Sequence, residues 1–294
     1  MRILFITANR LGDAILSTGL LDHLIHAYPA ARITVACGPV AEGVFHHMPS
    51  LDRIIVIPKQ PFGRHWLPLW RTAVARRWDL VVDIRGSALS FLVRTRQRAV
   101  MRGGGSGPKI VQLAAVLGVH PAPPPVVWFA PEDAARAAAL SPPGRPVIVL
   151  APTANWAPKI WPAERFVDLF HRLTATCLPG AIPAVIAGPG DTEAAMAAPV
   201  LHALPGAIDL IGRLSLPGIA AFLSRSRLFV GNDSGLMHLA AAAGVPTLGL
   251  FGPTSAAEYA PVGRCAAALK GREKTMDSLS VDAALEAAAR LLAQ

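Results

Sequence analysis

The chain holds 294 residues, 52% of them apolar and 16% charged, with a formal net charge of +9. An average soluble domain is about 25% charged, so this composition excludes a disordered chain, and the length suits two domains better than one. Three widely spaced cysteines (Cys37, Cys177, Cys265) exclude a disulfide framework, which fits a reducing cytosol, and no run of about 18 apolar residues free of charges or breakers offers a membrane-spanning helix.

The apolar opening stops at Asn9, Arg10 and Asp13, too early for the core of a signal peptide, and reads as a buried strand over residues 2–7. Further strands are expected at 33–36, 54–57 and 80–84, separated by amphipathic patterns such as Ile15, Leu16, Leu20, Leu21 and Leu24. A proline cluster, Pro121 to Pro125, and the breakers at 141–146 mark a linker. Strands then resume at 147–151, 184–187, near Leu210, at 228–230 and at 247–251. Alternation of this kind predicts an α/β protein of two doubly wound halves, 1–143 and 144–294, facing each other across a cleft at the carboxyl ends of their strands. The last helix is left free to pack on either half.

Charge is uneven between these halves. Residues 1–143 carry 16 Lys/Arg against 8 Asp/Glu, a balance of +8, while 144–294 carry 12 against 11, a balance of +1. Residues 53–109 concentrate 12 basic side chains against Asp79 and Asp83, so this segment expects an anion. Nucleic acid is a poor fit, because the arginines lack interleaved aromatics and no nucleic-acid motif accompanies them. Trp66, Trp70 and Trp78 serve either to pack one helix face or to anchor at a membrane surface.

Several motifs fail. Gly103 to Lys109 lacks the Gly-Lys-Ser/Thr order of a phosphate loop, having Pro108 and Ile110 around its lysine. Gly188-Pro-Gly190 lacks the third glycine of a dinucleotide fingerprint, and Gly231-Asn-Asp-Ser234-Gly has the wrong spacing for a hydrolase serine. His23, His26, His46 and His47 have no carboxylate or cysteine at ligand spacing, so no metal site is expected.

Four places after expected strands carry chemistry. Asn9-Arg10-Leu-Gly12-Asp13 follows the first strand, with Gly12 as a turn and Asp13 at a helix start, as a cap or as a catalytic carboxylate. In Ala151-Pro-Thr153-Ala-Asn155-Trp-Ala-Pro-Lys159-Ile-Trp-Pro162, Lys159 suits a phosphate as a point charge, or is a solvated loop lysine. Gly231-Asn-Asp233-Ser234-Gly235-Leu-Met-His238 runs strand, glycine, helix, an arrangement that cradles an anion, with Ser234 and His238 on one helix face and Asp233 as a cap or sugar acceptor. Asp191 follows the strand expected at 184–187, where a carboxylate takes ribose hydroxyls or caps a helix.

Leu11-Gly-Asp13, Lys159-Ile-Trp-Pro162, Gly231-Asn-Asp-Ser-Gly-Leu-Met-His238-Leu-Ala-Ala, Gly244-Val-Pro-Thr and Leu250-Phe-Gly-Pro-Thr254 together resemble glycosyltransferase family 9, the ADP-heptose:lipopolysaccharide heptosyltransferases. The resemblance implies a GT-B fold and an inverting, metal-independent transfer from an ADP-sugar to an anionic, lipid-linked saccharide at the cytoplasmic face of the bacterial inner membrane. The absence of any D-x-D triplet agrees. By resemblance Asp13 is the general base, while Lys159, the backbone at Ser234 and Gly235, and His238 hold the leaving diphosphate. Thr153, Asn155, Asp191 and Asp233 complete the expected donor set. Arg10, Arg85, Arg94, Arg96 and Arg98 form the expected acceptor set, the last three on a helix after the strand at 80–84 or at its end. No cofactor is implied beyond the ADP-sugar substrate. The competing readings are a nucleotide-sugar epimerase or hydrolase of the same fold, and a non-catalytic saccharide-binding relative.

Overall fold

The computed structural model describes residues 1–58, 66–103 and 105–294, so Lys59 and Arg64 of the basic segment lie outside the described residues. The chain divides into two compact units, Met1–Trp128 and Phe129–Gln294.

The first unit runs β1 (Arg2–Ile6), α1 (Leu11–Leu16), α2 (Thr18–Ala27), β2 (Arg32–Cys37), β3 (Leu51–Val56), α3 (Trp66–Val74), β4 (Trp78–Asp83), β5 (Thr95–Val100) and α4 (Lys109–Ala114). Its sheet is parallel in the order β3-β2-β1-β4-β5. Ile3, Leu4, Phe5 and Ile6 are wholly buried, as expected of a central strand covered on both faces. Trp78 does not extend a helix face. It opens β4, is buried, and donates its indole N–H to the Ala73 carbonyl at 2.9 Å, closing the end of α3 onto the sheet.

β5 stands where a helix was expected to carry Arg94, Arg96 and Arg98. Its residues Thr95-Arg-Gln-Arg-Ala-Val lack the apolar run that betrays the other strands, because β5 lies at the sheet edge, where exposed charges deter a further strand from pairing.

The second unit begins with α5 (Pro131–Leu140) and β6 (Val147–Ala151). It continues through α6 (Ala163–Thr176), β7 (Ile182–Val185), α7 (Asp191–Ala203), β8 (Ile208–Asp209), α8 (Leu216–Leu223), β9 (Leu228–Asn232), α9 (Gly235–Ala242), β10 (Thr247–Phe251), α10 (Ala256–Tyr259), β11 (Ala266–Lys270) and α11 (Val281–Leu292). The sheet is again parallel, ordered β11-β10-β9-β6-β7-β8. α5 packs against α8, and Ser215 Oγ reaches Asp133 Oδ1 at 3.5 Å, which puts the division ahead of α5 instead of after it. The final helix, α11, buries Ala284, Ala288 and Leu291 in the core that α6 covers, and Arg172 Nη1 meets Asp282 Oδ1 at 2.6 Å.

Each sheet changes winding direction once, between β1 and β4 in the first unit and between β6 and β9 in the second. The loops leaving those strand pairs diverge, and the crevice between them is where an open α/β sheet binds ligands.

Candidate functional site

In the second unit the loops after β6 and β9 bring Lys159 to Asp233, with Lys159 Nζ donating to Asp233 Oδ2 at 2.7 Å. Both side chains are largely shielded, 19% and 9% exposed. Asn232, which the sequence did not single out, builds this geometry. Wholly buried, it accepts from the Trp161 backbone N–H at 3.1 Å and donates to the Pro152 carbonyl at 2.9 Å, fixing both ends of the Lys159 loop to β9. Trp161 is the other anchor, buried edge-on against Phe166 at 5.0 Å, with its indole N–H on the Leu279 carbonyl at 2.9 Å. Gly231 is a strand residue of β9 rather than a turn. A Cβ there would lie 2.8 Å from the Ala151 methyl, so its need is close strand packing.

Asp233 does not cap α9. Ser234 holds the N-cap position in extended conformation, with no side-chain capping hydrogen bond, and Asp233 spends its carboxylate on Lys159. The first-turn N–H groups of α9, at the positive end of the helix dipole, are therefore left without a capping side chain. Three buried polar atoms have no hydrogen-bond partner among the described residues: Ser234 Oγ, His238 Nδ1 and Thr254 Oγ1. Ser234 and His238 follow β9, and Thr254 follows β10 beside it. Buried orphans of this kind cost free energy unless a ligand satisfies them, so their concentration after adjacent strands marks a polar ligand site. Thr254 was visible in Leu250-Phe-Gly-Pro-Thr254 but carried no expected role.

Burial drives the His238 pKa down from 6.5 to about 4, with Lys159 pushing the same way and Asp233 opposing. At neutral pH the imidazole is uncharged and acts as a hydrogen-bonding group. Thr153 is buried behind the Lys159 loop, whereas Asn155 is exposed on it. Asp191 is exposed at the start of α7, beyond β7; Glu193, in the same first turn, accepts from the Gly188 N–H of the preceding loop at 3.1 Å.

In the first unit the loops after β1 and β4 flank the other crevice. Arg10 is exposed and is the N-cap residue of α1, so Asp13 sits in the first helical turn, half-buried, and is not the cap. Gly12 is likewise helical and supplies no left-handed turn. Arg85 Nη1 donates to Asn9 Oδ1 at 3.1 Å, and the guanidinium lies 4.7 Å over the Trp66 ring. Burial lowers the Arg85 pKa from its ordinary value, with Asp83 opposing. Asp83, wholly buried, accepts from the Arg85 and Ser87 backbone N–H groups at 2.9 Å each and from the Ser87 hydroxyl, which fixes the turn that presents Arg85.

The remaining arginines do not join Arg85. Arg94 precedes β5, and Arg96 Nε faces Asp79 Oδ1 at 3.5 Å, so both belong to the amino end of the sheet, opposite the crevice. Arg98 donates to the Ser90 carbonyl at 2.5 Å and stacks 5.3 Å over Phe91. The strand conformation separates what a helix would have gathered.

Comparison with known proteins bears on the fold and the family. Lipopolysaccharide heptosyltransferase 1 of Pseudomonas aeruginosa is 26% identical, over 87% of this chain and 79% of that protein. The glycosyl transferase family 9 structure from Veillonella parvula superposes with a TM-score of 0.85 at 21% identity, covering 99% of this chain and 97% of that one. The ADP-heptose lps heptosyltransferase II of Escherichia coli gives 0.81 at 20%, covering 100% and 99%. The two parallel-sheet units are thus the GT-B fold. The model of the glycosyltransferase family 9 (heptosyltransferase) family matches residues 109–288, more than half the sequence, and the chain belongs to that family.

Proposed function

We propose that this glycosyltransferase moves a heptose or closely related sugar from an ADP-activated donor to an anionic, lipid-linked saccharide of the lipopolysaccharide core type, with inversion and without a metal. The observation that carries the donor half is the set of buried, unpartnered Ser234 Oγ, His238 Nδ1 and Thr254 Oγ1 beside the free N–H groups of α9 and the Lys159 ammonium. A diphosphate supplies acceptors for all of these donors and takes its counter-charge from Lys159 and the helix dipole. Similar proteins support the donor's identity: solved Escherichia coli heptosyltransferases are described with ADP and with ADP-2-deoxy-2-fluoro heptose.

In the transfer step the Asp13 carboxylate takes the proton of the acceptor hydroxyl as its oxygen attacks the anomeric carbon. The bond from that carbon to the diphosphate oxygen breaks with its electron pair going to ADP, and inversion follows from attack opposite the leaving group. Charge grows on the departing diphosphate, where Lys159, the backbone N–H groups of Ser234 and Gly235, and the neutral His238 ring stabilise it. Thr153, Asn155 and Asp191 complete the proposed donor set, Thr153 buried and Asn155 and Asp191 exposed. Arg10 and Arg85 receive the anionic acceptor. No three His, Cys, Asp or Glu side chains gather at a metal-sized group among the described residues, and Lys159 offers the charge a metal would otherwise bring.

The test is transfer from ADP-heptose to a heptose-free core acceptor, with EDTA added and the product's anomeric configuration read by NMR. Turnover in EDTA with an inverted product supports the proposal. An absolute divalent-ion requirement, retention, or preference for UDP- or GDP-sugars overturns it.

A further inference from the structure

We infer that the face of the first unit formed by α3 and the segment after β4 docks on an anionic phospholipid bilayer. The inference extends the lipid-linked-acceptor reading above by naming the surface that meets the lipid.

Between α3 and residues 87–92 lies an open groove of about 460 Å³, walled by Trp66, Trp70 and Leu89 and almost devoid of polar lining. On its lips Leu67 is 50% exposed and Leu92 62%, and Phe91, next to Leu92 in the chain, is 64% exposed. Scattered apolar residues on a surface are ordinary, but three this exposed beside two tryptophans form a patch that water does not favour. The groove is held open by packing. Trp70 Nε1 donates to the Leu92 carbonyl at 3.3 Å, and Leu69 and Ala73 bury the other side of α3 in the unit's core.

Charge selects the occupant. Arg71 stands one helical turn after Leu67 and is exposed on the same face of α3, Arg94 is exposed two residues after Leu92, and the Arg98 guanidinium stacks on Phe91. From 53 to 109 the acidic residues are Asp79 and Asp83 alone. Asp83 is buried under Arg85 and Ser87, and Asp79 pairs with Arg96 near the amino end of β4. The rim of the groove is therefore cationic without a carboxylate to neutralise it. A soluble protein partner could satisfy either the apolar lips or the charges. A bilayer of anionic lipids satisfies both at once: aromatic and aliphatic side chains enter the headgroup boundary while arginines meet phosphate. The surface is continuous with the acceptor crevice, because Trp66 is also the ring beneath Arg85. Docking there would hold the saccharide of a membrane-embedded acceptor next to Arg85 with its lipid still in the bilayer.

Flotation of the full chain with phosphatidylcholine vesicles, with and without phosphatidylglycerol, tests this with no donor or acceptor present. The wild type should float with anionic vesicles and stay behind with neutral ones, and release as salt rises. Phe91→Gln/Leu92→Gln should lower vesicle partition about tenfold or more while leaving transfer to a water-soluble core oligosaccharide unchanged. Leu67→Gln, on the opposite lip, should act in the same direction and covers the case in which the double variant fails to fold. A wild type that does not float, or variants that float as well as it does, overturns the inference even if transfer is normal. Absence of transfer with normal, patch-dependent flotation overturns the functional reading and leaves the docking surface standing.

Discussion

Lys159 Nζ and Asp233 Oδ2 lie 2.7 Å apart, so the cation assigned to the donor phosphates is held by a carboxylate from the next loop. Opposite charges this shielded hold each other in one geometry, yet their net contribution to stability is small, because desolvation offsets most of the attraction. The carboxylate's clearer effect is to aim the ammonium. A diphosphate arriving at α9 then competes with Asp233 for Lys159.

This pairing separates two effects of mutation. Lys159→Ala should weaken ADP binding and slow transfer, and should also destabilise the fold by about 3–5 kcal/mol at most, because Asp233 is left buried and unpaired. Adding Asp233→Asn to Lys159→Ala should restore most of the lost stability and none of the ADP affinity. Urea unfolding and ADP titration calorimetry on the three proteins read the two quantities separately. Unchanged ADP affinity in Lys159→Ala would remove the lysine from the donor site.

Asp13→Asn should cut transfer by about 10²- to 10⁴-fold, the usual cost of losing a general base, while ADP-sugar affinity stays near wild type. The two units bear different tasks in this reading, so single-turnover rates and equilibrium donor binding should diverge. A variant with wild-type turnover would reduce Asp13 to a first-turn helix carboxylate.

His238 makes stability depend on pH in a defined window. Its pKa is about 4 in the fold against 6.5 when unfolded, so the unfolded chain takes up the proton first as pH falls. Stability from the neutral imidazole is complete above about 6.5 and is lost progressively down to about 4, amounting to a few kcal/mol. His238→Gln should flatten that part of the pH profile, measured as the difference in unfolding free energy between pH 7.5 and pH 5. An equal pH slope in wild type and variant would show that another group is responsible.

The central strands were legible because both their faces are buried, and a run such as Ile-Leu-Phe-Ile admits few other structures. Of the four edge strands, β3 and β8 were expected, at 54–57 and near Leu210, but β5 and β11 were not. β5 alternates arginine and glutamine, and β11 is Ala-Ala-Ala-Leu-Lys, helix-forming by composition, yet it pairs along its whole length with β10 from Thr247↔Ala266 to Phe251↔Lys270. Tertiary pairing overrode local preference there. In the second unit the strands expected at 147–151 and 228–230 put the Lys159 and Ser234 loops after β6 and β9, where the structure has them, although Gly231, read as a turn, lies within β9. What they could not supply was the hydrogen-bond accounting: Asn232 looks like any asparagine before a helix until its two backbone partners, seventy or more residues away, are seen. The grouping of Arg94, Arg96 and Arg98 with Arg85 failed for the same reason that β5 was missed, since a strand sends its residues along the sheet where a helix would keep them together.

That separation gives the last prediction. Arg96 faces Asp79, four strand residues before Asp83, a span of about 13 Å at about 3.3 Å per residue, and Arg85 lies beyond that end of β4. Exposed charges are screened over about 8 Å at physiological salt, so Arg96 contributes little field where Arg85 meets the acceptor. Arg85→Ala should therefore raise the acceptor's KM and flatten its dependence on salt, while Arg96→Ala changes neither. Arg85→Lys should recover only part of the loss, because an ammonium keeps the charge but not the planar stack on Trp66 or the directed bond to Asn9. Donor KM should be unaffected in all three. Salt titrations of acceptor KM at saturating donor make the comparison. Equal effects from Arg85 and Arg96, or a rise in donor KM with Arg85→Ala, would place acceptor recognition elsewhere than the crevice between β1 and β4.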